Sequence, residues 1–183
     1  MNIDSANNFC IPDTKSILKN DYPYLGRSLF FSNIETLEKL NDDAENLFNQ
    51  KKSSSSHFLA PLIHEWIHSF HLDYIYKQHG YGGMCKVLGK IYPCGINDKI
   101  SGITLLHDLQ NKKFTQKENL IIFDELGEYS TNPVNQYLEV FSEAWTKFIC
   151  NALDGYQLIQ NPVEQYLKAP KELKNLLDKI LNI

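Results

Sequence analysis

Long hydrophobic runs are missing from this chain. No apolar stretch among its 183 residues approaches the ~20 that a membrane-spanning helix needs, so no membrane span is expected. Cysteine is scarce: Cys10, Cys85, Cys94 and Cys150 are scattered, and no CxxC spacing occurs. That excludes a disulfide scaffold and a cysteine-based structural zinc site. The four thiols read as free and mostly buried in a reducing compartment, and Cys85 and Cys94 could pair only if the chain were secreted. Positive charge is not in surplus either. With 18 Lys and Arg against 22 Asp and Glu, net −4, and with the basic residues dispersed, neither nucleic acid nor an anionic membrane is expected as a partner. The opening MNIDSANNFC has no basic segment followed by an apolar one, so no secretory signal is read there. The expected location is the cytoplasm, or outside the cell by an export route that needs no such signal.

What remains is ordinary globular composition, 43% hydrophobic and 22% charged, which places residues 1–183 in a single domain expected to act as a monomer. No internal repeat is visible. The one low-complexity tract, four serines at 53–56 after Lys51-Lys52, reads as a loop between two helices. The run SLFFS at 28–32 is the best strand candidate. Ser32-x-x-Glu35 then forms a capping box before an amphipathic helix over 34–50, with Leu37, Leu40, Ala44, Leu47 and Phe48 on one side. A long helix is expected over about 56–79, with Ser56 as N-cap, Pro61 near the first turn and Gly80 past the end. The segment 81–131 is the hardest to read. It holds a helical pattern over 97–109 and a Thr115-x-x-Glu118 cap before a helix ending near Gly127, although LIIF at 120–123 also suits a strand. Another helix is predicted over about 133–153, from Asn132 as N-cap and Pro133 at its first position to Gly155 as its stop. Asn161-Pro162 and Ala169-Pro170 open two shorter helices. The fold class is α+β, mainly helical, with a small sheet in the N-terminal part and a helical C-terminal part.

The chemistry is concentrated in His64-Glu65-Trp66-Ile67-His68, an HExxH motif in mid-helix. Residues at i and i+4 project from one side of a helix a turn apart, so two imidazoles can converge on one ion. Three protein ligands and a water make a catalytic zinc site, and the zinc lowers the water's pKa to about 7. The glutamate beside the first histidine can take the water's proton as general base and carry it to the leaving amine. At 100° per residue, Leu59, Leu62, Ile63, Trp66, Ile67 and Phe70 form an apolar stripe, and His57, His64, His68 and His71 form a second one away from it. A satisfied core histidine explains one such residue but not four in a row.

A third ligand is needed. The helical extension with glycine at 71 and histidine at 74 fails, because those positions hold His71 and Tyr74. An acid on a later helix is the alternative, and Glu139-Val-Phe-Ser-Glu143-Ala-Trp145 supplies one. Leu138, Phe141, Trp145, Phe148 and Ala152 form that helix's apolar face, with Glu139 and Glu143 opposite. The plain reading of these acids is a solvated edge. Tyr137 points elsewhere and reads as packing. His71 lines the cleft, bonds a ligand histidine, or is a bystander. His107-Asp108 has no nucleophile elbow beside it and is set aside. Gly80, Gly82 and Gly83 form no phosphate loop and read as a flexible cleft wall.

HEWIH followed by ExxxE in an aromatic helix resembles the gluzincin metallopeptidases. EVFSEAW in particular resembles the third-ligand segment of the anthrax lethal factor catalytic-domain family, which includes proline-specific clostridial endopeptidases. The resemblance covers roughly 56–153 and extends weakly into KAPKELKNLLDKI. It implies a zincin-like fold and one zinc ion held by His64, His68 and Glu139. It also implies Glu65 as general base and Glu143 as the acid that orients a ligand histidine. The separation between HExxH and Glu139 is longer here than in those relatives. A tyrosine that stabilises the oxyanion in that family falls at Asn132 here, and Tyr129 in GEYSTN is the nearest candidate for its role.

The function expected is a zinc endopeptidase acting on a protein or peptide bound extended, with the strand at 28–32 as a possible sheet edge for the substrate backbone. Many members of the resembled family are toxins or delivered effectors. Two rival readings are a catalytically silent binding protein on the same fold and a metal-dependent hydrolase of a non-peptide amide. Retention of Glu65 argues against the first.

Overall fold

Local signals in the sequence decide where most helices begin. The computed structural model describes residues 9–10, 29–30, 36–79, 84–87, 90–93 and 102–182. Helix α1 (Leu37–Asn49) starts behind Thr36, whose Oγ1 accepts the Lys39 N–H at 3.1 Å. It therefore begins three residues after the expected start, and the proposed Ser32/Glu35 box lies outside the described residues. Its expected apolar face is only partly sheltered: Ala44 is buried, whereas Leu47 and Phe48 are exposed. Helix α2 (Ala60–His79) begins four residues later than the serine tract suggested, with Pro61 in the first turn, where a missing N–H costs little. His57 thus lies off the helix. Its Nδ1 accepts the Leu59 N–H at 3.1 Å, and its Nε2 bonds the Gly155 carbonyl at 3.0 Å.

Helix α3 (Gly102–Asn111) runs two residues past the expected end at 109, and 97–101 lie outside the described residues. Helix α4 (Gln116–Leu126) has the full capping box. Thr115 Oγ1 accepts the Glu118 N–H at 3.3 Å, and Glu118 Oε2 accepts the Thr115 N–H at 2.7 Å. The 120–123 run is therefore helical, and Ile122 and Leu126, one turn apart, are fully buried. Helix α5 (Gln136–Cys150) starts later than Pro133. Asn132 closes a local turn by accepting the Val134 N–H at 3.0 Å, a 3-10 turn (Tyr129–Thr131) precedes it, and Asn135 leads into the helix at φ 58°. Gly155, at φ +56°, lies in the β-hairpin of β5 (Leu153–Asp154) and β6 (Gln157–Leu158) rather than at the helix stop. Helices α6 (Pro162–Lys168) and α7 (Lys171–Leu181) follow Asn161-Pro162 and Pro170 as expected.

The remaining strands are short antiparallel pairs. β1 (Phe9–Cys10) pairs with β2 (Leu29–Phe30), in register Phe9↔Phe30, and lies against α2. β3 (Met84–Val87) pairs with β4 (Lys90–Pro93) in the segment where the sequence shows no clear period. The Cys85–Cys94 pairing and the glycine wall at 80–83 fall outside what is described. The architecture is mainly helical α+β, and no described helix is long and apolar enough to cross a membrane.

Helix α5 is the central element, packed against α2, α3, α4, α6 and α7. Val140 and Ala144 are fully buried on it, and Tyr137 stacks on Phe114 at 4.3 Å, which confirms its packing role. The orientation of α2 departs from the apolar-stripe reading. Ile63 and Ile67 enter the core, but Leu62, Trp66, Phe70 and Tyr74 are 40%, 52%, 62% and 49% exposed. The histidine side faces α5 instead. Two acids on α5 stand within 3.0–3.3 Å of the two imidazoles on α2, polar partners that a purely apolar α2 face would leave buried and unpaired.

Candidate metal centre

The HExxH spacing and the packing of α2 along α5 bring three donors to one point. His64 Nε2 and His68 Nε2 are 3.0 Å apart, and Glu139 Oε2 is 3.2 Å from the first and 3.3 Å from the second. Ligand atoms about 2.0–2.1 Å from a tetrahedral zinc are about 3.3 Å from one another, so this triangle has the size of one face of such a site. Two imidazoles and a carboxylate also match the borderline-soft donor set zinc accepts, and among the described residues this is the one group that could hold an ion.

The surrounding charges are strongly coupled. Burial opposes charge on His64, but Glu139 and Glu143 outweigh it and push the imidazole up to about 10. Burial likewise disfavours the Glu139 carboxylate, but hydrogen bonds with His64 and His68 hold its pKa at about 2. Glu143 Oε1 lies 3.0 Å from His64 Nδ1, an ion-pair contact rather than a well-aligned hydrogen bond, and the Ser142 hydroxyl donates to the His64 carbonyl at 3.1 Å. Glu139 thus touches both imidazoles and Glu143 touches the other ring nitrogen of His64, and neither acid is a solvated edge.

Glu65 is buried beside the cluster. Its pKa is raised, mainly by burial, with His64 and His68 opposing. The Tyr129 ring packs edge-on to His64 at 5.8 Å between centroids. Burial, then Glu139, Glu65 and Glu143, push its phenol up to about 12, so it stays a proton donor at neutral pH. His64, Glu65 and Tyr129 line one open cleft of ≈ 1040 Å³, together with Leu47, Pro61 and Pro133.

The other four histidines, His57, His71, His79 and His107, are elsewhere. His71 is buried, stacks on Phe141 at 4.1 Å and lines a separate small cavity with Ile75 and Ile180. Its Nδ1 has no hydrogen-bond partner among the described residues. Burial lowers its pKa to about 3, with the His68 charge adding to the effect. His57 braces the Gly155 turn, and His107 is exposed on α3. Asp73 pairs with Lys77 at 3.0 Å. Two residues near the centre carried no recognisable chemical signal in the sequence. Ser54 donates its N–H to Glu143 Oε2 at 3.0 Å, and Gly127 turns the chain toward Tyr129 at φ +92°. A serine tract next to a lysine pair and a helix-ending glycine were the only hints. Comparison with family models, with curated proteins and with solved structures finds no match.

Proposed function

We propose that the protein is a zinc-dependent endopeptidase of the gluzincin kind, built on a zincin-like fold. The observation that carries this reading is the convergence of His64, His68 and Glu139 to within 3.3 Å, with His64 also lining an open cleft together with Glu65 and Tyr129. A zinc ion held by His64, His68 and Glu139 would polarise the substrate carbonyl and acidify a water to about pKa 7. Glu65 accepts the water's proton and returns it to the leaving amine, a role that suits a carboxylate whose burial has raised its pKa. Tyr129 donates its phenolic hydrogen to the oxygen that gains charge during attack. Glu143 keeps His64 in the tautomer with Nε2 free to ligate. The substrate is a peptide bound extended in this cleft, with Leu47, Pro61 and Pro133 as its apolar contacts. A role as a delivered effector rests on the family resemblance alone.

The test is a peptide-library digestion by wild type and Glu65→Gln, each with its zinc content measured. Both proteins should carry zinc, and only wild type should cleave, because an amide cannot accept the proton. Equal cleavage by the two would remove Glu65 from the mechanism.

A further inference from the structure

The loop between α1 and α2 bonds both Glu143 and the backbone at Tyr129, two residues that touch His64. Ser54 and Ser55 are buried, unlike residues of an ordinary serine-rich connector. The Ser54 N–H donates to Glu143 Oε2 at 3.0 Å, and its hydroxyl donates to the Glu143 backbone carbonyl at 2.9 Å. Two to three residues earlier, the Lys51 carbonyl accepts the Glu128 N–H at 2.7 Å and the Lys52 carbonyl accepts the Tyr129 N–H at 3.3 Å. One short segment thus grips the acid that partners His64 and the backbone that carries Tyr129.

The second grip depends on glycine. Gly127 has φ +92°, and a Cβ there would stand 2.7 Å from the Lys51 oxygen and 3.2 Å from the Lys51 and Lys52 carbonyl carbons. These are backbone atoms, so they cannot swing aside as the end of a side chain would. Lys51 itself sits at φ 55°, in the left-handed region that favours glycine. Held this way, the loop aims both carbonyls at the 128–129 amides. No side-chain hydrogen bond holds Tyr129 among the described residues, so its placement comes from this backbone pairing and the 3-10 turn that follows.

We infer that residues 51–54 form a clamp that positions Glu143 and Tyr129 together, and that Gly127 is the residue that lets the clamp close. The catalytic half of this inference rests on the proposed peptidase reading, and the metal half on the proposed ligand set. All these residues act through others and are positioning residues.

Two variants test it. Gly127→Ala should lower kcat about tenfold or more with KM within about twofold, and it should add less than about twofold when placed on Tyr129→Phe. In the same variant the Glu128 and Tyr129 amides should exchange with solvent about tenfold faster, while α2 and α5 amides keep their protection. Ser54→Ala should weaken zinc binding by about threefold or more, with no further loss on Glu143→Ala. If Gly127→Ala does not fold, the Ser54 and Glu143 pair decides alone through zinc affinity. Additive losses in either pair, or unchanged exchange at 128 and 129 in a folded Gly127→Ala, overturn the clamp. Absence of cleavage by wild type would defeat the peptidase reading, and the exchange and zinc measurements would still decide the clamp.

Discussion

Exchanging Glu143 for glutamine preserves the shape of the side chain and removes one acceptor. The carboxylate is only 5% exposed and sits between two nitrogens, Ser54 N and His64 Nδ1, each 3.0 Å from one of its oxygens. With His64 Nε2 turned to the ligand cluster, the ring's proton belongs on Nδ1, so both neighbours are donors. A carboxylate can accept from both. An amide accepts from one and presents an NH2 group to the other. The orphaned buried donor costs about 1–3 kcal/mol of fold stability. Loss of the partner that orients a ligand histidine typically costs about 10–100-fold in metal affinity, or about 1.4–2.7 kcal/mol. Glu143→Gln should therefore resemble Glu143→Ala more than wild type, in chelator-competition titration with zinc and in urea unfolding of the metal-free protein. Wild-type zinc affinity in Glu143→Gln would refute the assignment of Glu143 as the partner of His64.

The tyrosine and the buried histidine give two further expectations. Tyr129→Phe should reduce kcat by about 10²–10³ with little change in KM, measured on any peptide that wild type cleaves, and an unchanged kcat would move oxyanion stabilisation to another donor. His71 has its pKa lowered to about 3 in the fold against about 6.5 when unfolded. Between those values the unfolded chain binds a proton that the folded one does not. The contribution is therefore fully present above about pH 6.5 and is lost as pH falls toward 3, with a slope approaching about 1.4 kcal/mol per unit. Metal-free His71→Leu should show a correspondingly flatter acid limb in denaturant titrations, and parallel limbs would place that proton uptake elsewhere.

The parts of the site that were legible in the sequence are those written in local spacing. His64 and His68 at i and i+4, Glu139 and Glu143 at i and i+4, and the Thr115/Glu118 box each declare a helix and a face at once. Which face of α2 turns inward was not legible, because Trp66 and Phe70 carry as strong an apolar signal as Ile63 and Ile67. The choice is made by pairing with acids more than 70 residues away. Ser54 was unreadable for the same reason, since its contacts with Glu143 span 89 positions. The start of α5 was misplaced because Asn132-Pro133 has the composition of a helix start. The Asn132 side chain instead closes a local turn on Val134, and the chain enters the helix through a left-handed Asn135. His71 shares the helical phase of His64 and His68, but the chain places an aromatic ring, Phe141, against it.

The central claim is one zinc ion held by His64, His68 and Glu139, and zinc X-ray absorption on the purified protein, with metal quantified per chain, addresses it most directly. Wild type should carry one zinc with two imidazole nitrogens and oxygen in its first coordination shell at about 2.0–2.2 Å, and Glu139→Ala should purify without tightly bound metal. Substoichiometric zinc in wild type, sulfur scattering near the ~2.3 Å of a zinc–thiolate bond, or an unaltered spectrum in Glu139→Ala would contradict it.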